Sequence, residues 1–234
     1  TGQAVKTKNF NWETTVLYTQ NRNKLVSFSD APRGYKLDFL QINPVNGTWS
    51  QLVLEGQPVG NFVAPVYLGL DDNGEAVYKD VNNDGKVDIF SHADREVVGN
   101  AYPKFELGWN NQLNYKKFDL SFFFRGVFGH SLVNYERAMF ELWRPFVNSR
   151  NIYKSTLDNP GYKGNTTYDS RYVEKASFVK FENISLGYTT NIAKTNQIRM
   201  YASCQNLFTI TNYKGVDPEV PISNFDLRPA VNGV

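Results

Sequence analysis

Residues 104–115 read KFELGWNNQLNY. In an extended chain Phe105, Leu107, Trp109, Asn111, Leu113 and Tyr115 share one face. Lys104, Glu106, Gly108, Asn110, Gln112 and Asn114 share the other. Five of the first six are apolar and none of the second six is, so the stretch reads as a long strand with one greasy and one wet face.

The pattern spreads outward from there. Lys116–Lys117 is a short polar turn, and the next run sets Phe118, Leu120, Phe122, Phe124, Gly126 and Phe128 against Asp119, Ser121, Phe123, Arg125, Val127 and Gly129. Two such strands across a tight turn form an antiparallel hairpin. Toward the other terminus Ile184, Leu186 and Tyr188 alternate with Asn183, Ser185 and Gly187. Ile198, Met200, Ala202 and Cys204 alternate with Arg199, Tyr201, Ser203 and Gln205, after a short link at Asn191–Asn196. A fifth strand comes from Phe10, Trp12, Val16 and Tyr18, alternating with Asn11, Glu13, Thr15 and Thr19.

The connections at 116–117 and 191–196 are short, whereas those at about 29–101 and 132–167 are long. Alternating short and long connections are the habit of outer-membrane barrels, with short periplasmic turns and long outer loops. A soluble sandwich seldom holds loops of this length. Tyr135, Ala138, Met139 and Leu142 predict a short helix over Asn134–Leu142 inside one of them. If 116–117 is periplasmic, the strands run inward, outward, inward and outward, and Thr211–Val234 finishes outside. A barrel with a periplasmic N-terminus closes with one more inward strand, and five strands fall short of the eight in the smallest barrels. The predicted fold is all-β: about five strands of an antiparallel transmembrane β-barrel with long extracellular loops. Residues 1–234 are expected to be one piece of a larger chain.

Composition agrees with this reading. Aromatics are 15% of the chain, including 17 Phe, 14 Tyr and 4 Trp, and membrane barrels use such rings in interfacial girdles. A mean hydropathy of −0.46 is compatible with a barrel, because only every second strand residue faces lipid. No run of about 18 apolar residues marks a transmembrane helix, and Thr1–Gly2–Gln3 does not open a signal peptide. A net charge of +2 with interspersed signs gives no nucleic-acid footprint. The single cysteine, Cys204, excludes an internal disulfide and reads as a small apolar filler.

Several segments resemble the SusC/RagA family in family order. Glu55–Gly60 resembles E-G-x-P-x-G, and Asp80–Asp88 resembles D-x-N-x-D-G-K-x-D. Asp94–Arg95, Gly99–Asn100 and Pro103–Lys104–Phe105 resemble the D-R…G-N-x-x-P-K-F stretch. Tyr115–Ser121 resembles Y-K-x-F-D-L-S, and Phe181–Tyr188 resembles L-x-N-x-x-L-G-Y. The most specific block is Gln205–Thr209 with Tyr213–Val220, similar to Q-N-L-F-T followed by Y-x-G-x-D-P-E. The family ordinarily ends soon afterwards in a strand with a terminal aromatic residue, which is not present by Val234. The resemblance implies the C-terminal part of a 22-stranded TonB-dependent barrel in a Gram-negative outer membrane, with the plug domain and final strand outside residues 1–234. It implies import of a glycan, oligosaccharide or oligopeptide, a SusD-like surface lipoprotein as lid, and energy from TonB–ExbB–ExbD through an upstream region.

The most chemical segment is Asp80–Asp88. Asp80, Asn82, Asp84 and Asp88 fall at positions one, three, five and nine of an EF-hand-like loop. Gly85 stands at the sharp turn, and Lys86 offers its carbonyl at position seven. This is a candidate structural Ca²⁺ site, while position twelve is Ser91 and Asp94 lies three residues beyond. The same residues also read as an Asn/Asp/Gly-rich turn that binds nothing. His92 and His130 lie in no metal-ligand spacing and read as solvated loop residues. No nucleophile–base, Walker A or G-x-G-x-x-G motif is present, and no enzyme is expected. Tyr135, Trp143, Phe146, Tyr153 and Tyr162 stand in the presumed outer loops, available to stack on sugars, to meet a lid or to pack on one another. Glu106, Asn110, Asn114 and Arg199 are expected to face the lumen. Two rivals remain at this point: a carbohydrate-binding β-sandwich with a calcium loop, and a secreted hydrolase using a carboxylate such as Asp88 or Glu174.

Overall fold

A computed structural model describes residues 1–27, 37–41, 49–89, 93–141, 153–157, 168–192 and 196–219. Ser91, His92, Leu142, Trp143, Phe146, Tyr162 and the segment 220–234 lie outside these residues, as does the side chain of Met139. In chain order the described strands are β1 (Gly2–Lys6), β2 (Phe10–Thr19), β3 (Leu37–Gln41), β4 (Trp49–Val53), β5 (Asn61–Ala64), β6 (Tyr67–Leu70) and β7 (Ala76–Tyr78). They continue with β8 (Glu96–Asn100), β9 (Phe105–Tyr115), β10 (Phe118–Phe128), β11 (Ser131–Val133), β12 (Val173–Lys175), β13 (Phe178–Asn191) and β14 (Gln197–Thr211). Two short helices, α1 (Tyr135–Phe140) and α2 (Lys154–Leu157), precede a 3₁₀ turn at Ser170–Tyr172. The chain divides into two compact units.

The first unit, 1–21, 103–129 and 177–212, is a six-stranded antiparallel sheet in the order β1-β2-β9-β10-β13-β14. The five expected strands are all in it, and β1 is a sixth. Tyr115 pairs directly with Phe118 across the two-residue turn, where Lys116 takes φ 53°. Register is continuous from Phe10↔Tyr115 to Thr19↔Glu106 and from Tyr115↔Phe118 to Phe105↔Phe128. It slips between Gln3 and Val5 in the β1–β2 pair, and again at Glu182, which neither β10 nor β14 pairs. Opposite it, β14 bulges at Asn206–Leu207, with Asn206 at φ 51°. The slip keeps Phe181 and Ile184, three residues apart, on the same face as Phe124 and Phe122.

The second unit, 22–102, 130–176 and 213–234, is made of the long connections. Its described residues form a four-stranded sheet, β3-β4-β5-β8, and the hairpins β6-β7 and β11-β12. The long links are therefore folded segments with a core of their own: Phe62, Ala64, Val133, Ala138, Tyr168 and Tyr172 are all at most 4% exposed. The predicted helix forms over Tyr135–Phe140, and the Asn134 side chain caps it by accepting from Arg137 N–H. His130 corrects an expectation. It is buried at 6% exposure instead of solvated, because its carbonyl accepts the Ala176 N–H where β11 and β12 come together.

Candidate functional site

Pairing in the six-stranded sheet fixes which side chains share a face. On one face lie Trp12, Val16 and Tyr18 of β2, the odd residues of β9 and the even residues of β10. They are joined by Val179, Phe181, Ile184, Leu186 and Tyr188 of β13 and by Met200, Ala202, Cys204, Phe208 and Ile210 of β14. Much of this face is uncovered, as Phe118 (49% exposed), Leu186 (50%) and Ile210 (64%) show. Monomeric soluble proteins rarely expose apolar surface spanning five strands, and such a face needs an apolar partner.

Aromatic side chains mark its two ends and its middle. At the 116–117 end, Phe10 meets Tyr115 at 6.5 Å and Phe118 meets Tyr188 at 4.8 Å between ring centroids. At the opposite end Tyr18, Phe105 and Phe128 stack in a row, at 5.9 and 4.9 Å. Between them Phe124 stacks on Phe181 at 4.3 Å and meets Trp109 at 5.9 Å. Ten residue steps from Phe105 to Tyr115 span roughly 34 Å along the strand at about 3.4 Å each. At a tilt of about 45° that is a height of about 24 Å, close to the ~25 Å apolar band of an outer-membrane barrel. The few polar groups here are covered by indoles: Trp12 Nε1–H donates to Asn111 Oδ1 at 3.0 Å, and Trp109 Nε1–H to Thr14 Oγ1 at 2.9 Å.

The opposite face carries Glu106, Asn110, Asn114 and Arg199, as expected, together with Glu13, Asp119, Arg125 and Lys180. Two ion pairs join strands on it. Arg125 Nε–H donates to Glu182 at 2.7 Å, so the bulged residue is the partner of a neighbouring strand's cation. Arg199 donates to both Asp119 oxygens, at 2.6 and 3.3 Å, reaching from β14 over β13 to β10. Gly187 lies beneath this bridge, and a Cβ there would meet the Asp119 carboxylate at 2.4 Å. In Gly187→Ala, Asp119 has to swing away from Arg199. The expected result is a lower unfolding temperature for Gly187→Ala, with no further drop when Asp119→Asn is added. Additive losses in that double-mutant cycle would show that the bridge is not what the glycine protects.

The calcium-candidate loop is closed by its own side chains. Asp80 accepts from the Asn83 and Gly85 N–H groups at 2.7 and 2.9 Å, Asn82 from Asp84 N–H, and Asp84 from Lys86 N–H. Asn83 at φ 59° and Gly85 at φ 81° make the left-handed steps this winding needs. The Asp88 side chain is not brought into that set by any of these bonds. Its N–H and that of Val81 donate to Asp94, 1% exposed, at 2.7 and 3.0 Å. These two donors, Asp88 first, hold the Asp94 carboxyl below the usual carboxylate range. Asp94 is thus the loop's buried anchor, a role the spacing did not reveal. The oxygen donors suit a hard cation in kind, but among the described residues no three His, Cys, Asp or Glu side chains converge as a metal site.

Elsewhere in the second unit, a cavity of about 200 Å³ is lined by Tyr67, Leu70, Arg137, Glu141, Ser155, Thr156 and Arg171. Arg137 is paired with Glu174 and Glu141, and Arg171 with Asp169, which is fully buried. The Arg171 guanidinium lies 3.9 Å from the Tyr67 ring centroid. Of the expected loop aromatics, Tyr135 packs against the core, and the Tyr153 hydroxyl donates to Glu136. Nothing in the sequence pattern singled out the residues of this cavity.

No family model matches the chain. It is 30% identical over 253 residues to the TonB-dependent receptor P3 of Formosa agariphila, covering 94% of this chain and 24% of that protein. It is 31% identical over 246 residues to the TonB-dependent receptor SusC of Bacteroides thetaiotaomicron, covering 96% and 24%. Among solved structures it is similar to that of the RagAB peptide transporter, with a TM-score of 0.72 at 20% identity, over 93% of this chain and 25% of that one. The likeness shows the fold. The chain spans about a quarter of the length of the curated relatives it matches.

Proposed function

We propose, for a chain that belongs to the SusC/RagA family of TonB-dependent receptors, that its six-stranded sheet is part of a barrel wall in a Gram-negative outer membrane. The apolar face of about 24 Å, bordered by aromatic rows and backed by an ion-paired polar face, carries this reading. Lipid covers the first face without unsatisfied backbone groups, because ladder hydrogen bonds consume them. The polar face lines the water-filled or plug-filled interior. A carbohydrate-binding sandwich would need a second sheet over the apolar face, and the described residues of this unit supply none.

On this reading the whole protein imports a glycan or oligopeptide, powered by TonB–ExbB–ExbD, with a SusD-like lipoprotein as lid. Support comes from the relative named SusC, from the TonB-dependent receptor P3, and from the fold shared with the RagAB peptide transporter. The second unit, which holds the long connections, is on this reading the part that meets solute and lid. Chemistry on the solute is not part of the proposal, since the relatives are receptors and a transporter by name. The test is fractionation of source membranes with heated and unheated gel samples, followed by a peptide from 178–211. A heat-modifiable outer-membrane band several times larger than 26.7 kDa supports the reading. A soluble band near that mass would overturn it.

Calcium in the 80–88 loop is a separate proposal, supported by the oxygen donors that the side-chain turns of Asp80, Asn82 and Asp84 bring to one loop. Millimolar Ca²⁺ is expected to slow proteolysis within 80–95 of the chelator-treated receptor, and Asp84→Ala to abolish the effect. Equal cleavage with Ca²⁺ and with chelator would leave the loop as a self-capped turn.

A further inference from the structure

The end of the six-stranded sheet at the two-residue turn is a joined rim. Lys116 N–H donates to the Asn9 carbonyl at 3.0 Å, binding the 116–117 turn to the 7–9 turn beside it. Thr189 N–H donates to the Lys117 carbonyl at 2.9 Å and ties in the end of β13. Glycine, asparagine or aspartate is the usual choice for the left-handed step of so tight a turn, yet Lys116 takes it, at φ 53°. Turn geometry therefore does not account for this lysine.

The direction of the side chains and the charge around them do. Lys116 Nζ lies 5.3 Å from the Tyr115 ring centroid, and Lys117 Nζ–H donates to Thr190 Oγ1 at 3.2 Å. Tyr115 belongs to the apolar face, and Thr190 follows Tyr188 on it two residues along β13. Both ammonium groups thus stand above the aromatic row of Phe10, Tyr115, Phe118 and Tyr188. A lysine so placed lays its stem on apolar surface and lifts its charge to the polar boundary. Lys8 is exposed in the adjoining turn, and Lys6 pairs with Asn11 on the wet face. No Asp or Glu occurs in 1–12, 107–118 or 183–205. The first carboxylates inward are Glu13, which accepts from Asn11, and Asp119, which Arg199 holds, and both are on the wet face. The lipid-side rim therefore carries positive charge that no carboxylate among the described residues offsets.

We propose that this rim holds one anionic phospholipid of the periplasmic leaflet, with Lys8, Lys116 and Lys117 around its phosphate and the four rings beside its acyl chains. The proposal rests on the lipid reading of the apolar face. Net charge selects the headgroup: phosphatidylglycerol is anionic, whereas the ammonium of phosphatidylethanolamine is repelled by the lysines. The test is native mass spectrometry of the intact receptor in detergent, given equimolar phosphatidylglycerol and phosphatidylethanolamine. Retained phosphatidylglycerol is expected to exceed phosphatidylethanolamine about three-fold or more. The triple variant K8Q/K116Q/K117Q should bring the ratio near one, and K116R/K117R should keep it. Lys104→Gln, at the far end of β9, should leave it unchanged. Equal retention of the two lipids, or a loss with Lys104→Gln as large as with the triple variant, would overturn the proposal. So would displacement of phosphatidylglycerol by equimolar inorganic phosphate, which would make this a free-anion site. Lipid A held in preference, through the same lysines, would put the rim in the opposite leaflet and overturn it too. A receptor that fails these arms yet still runs as a heat-modifiable outer-membrane band loses only the headgroup site, whereas loss of that band removes the barrel reading itself.

Discussion

Phe124→Arg is expected to prevent accumulation of the receptor in the outer membrane, while Ser121→Arg accumulates normally. Phe124 stands near mid-height on the apolar face, stacked on Phe181 and in contact with Trp109. An arginine at this depth on a lipid face costs about 2–4 kcal/mol, and the lost ring contacts add about 0.5–1.5 kcal/mol for an aromatic pair. That is a large share of the 5–15 kcal/mol that holds a typical fold together. Ser121 lies three residues earlier on the same strand and on the opposite face, beside Gln112 and Ser185, where a cation is hydrated. The comparison is read as the amount of heat-modifiable band in membrane fractions. Normal accumulation of Phe124→Arg would mean that this face does not meet lipid.

The second large effect is expected in the other unit. Tyr172 is 1% exposed in the core with Phe62, Val133 and Tyr168, and the guanidinium groups of Arg137 and Arg171 lie 5.9 and 5.3 Å from its ring centre. Its N–H donates to Asp169 and its carbonyl accepts from Asn134, so it joins the 3₁₀ turn to the start of α1. Tyr172→Ala removes the ring around which these elements pack, at a cost of about 3–5 kcal/mol for a buried aromatic. Limited proteolysis of the variant should cut within 130–176 far faster than in the unaltered receptor, while the band stays heat-modifiable. Unchanged cleavage would show that this core is not what holds the unit.

How much of this was legible in the sequence follows from the range of each interaction. The strands β2, β9, β10, β13 and β14 announce themselves because one local rule, alternation, places every second side chain against an apolar medium. Even the slip at Glu182 leaves a trace, since Phe181 and Ile184 can share a face only if one residue drops out of register. The strand β1 leaves none: Gly2–Lys6 is short, carries one large apolar residue, Val5, and is exposed throughout. In the second unit the apolar runs are brief and broken by Gly56, Pro58, Gly60 and Pro65. The core joins Phe62 to Tyr168 and Tyr172, more than a hundred residues away. No local period encodes such a meeting, so a loop was the natural reading. His130 looked like a loop histidine for the same reason, until β11 found β12. The 80–88 motif was legible as a turn, but the anchoring role of Asp94 was not, because an EF-hand-like loop places its last carboxylate at position twelve, where Ser91 stands. The lining residues of the cavity, such as Ser155, Thr156 and Arg171, carry no pattern at all. Only the packing of two helices against a hairpin gives them a common purpose.

The central claim, that one face of the sheet meets lipid and the other water, is tested most directly by spin labels placed singly at 105–115 and 118–128. The intact receptor would be used in liposomes, in a cysteine-free background that includes Cys204→Ala. Power saturation with oxygen and with a water-soluble nickel complex reads the environment of each label. The odd residues of β9 and the even residues of β10 are predicted to be oxygen-accessible and nickel-poor, with the intervening residues showing the reverse or contact with neither. Equal nickel access on both faces, or an apolar face open to water, would contradict it.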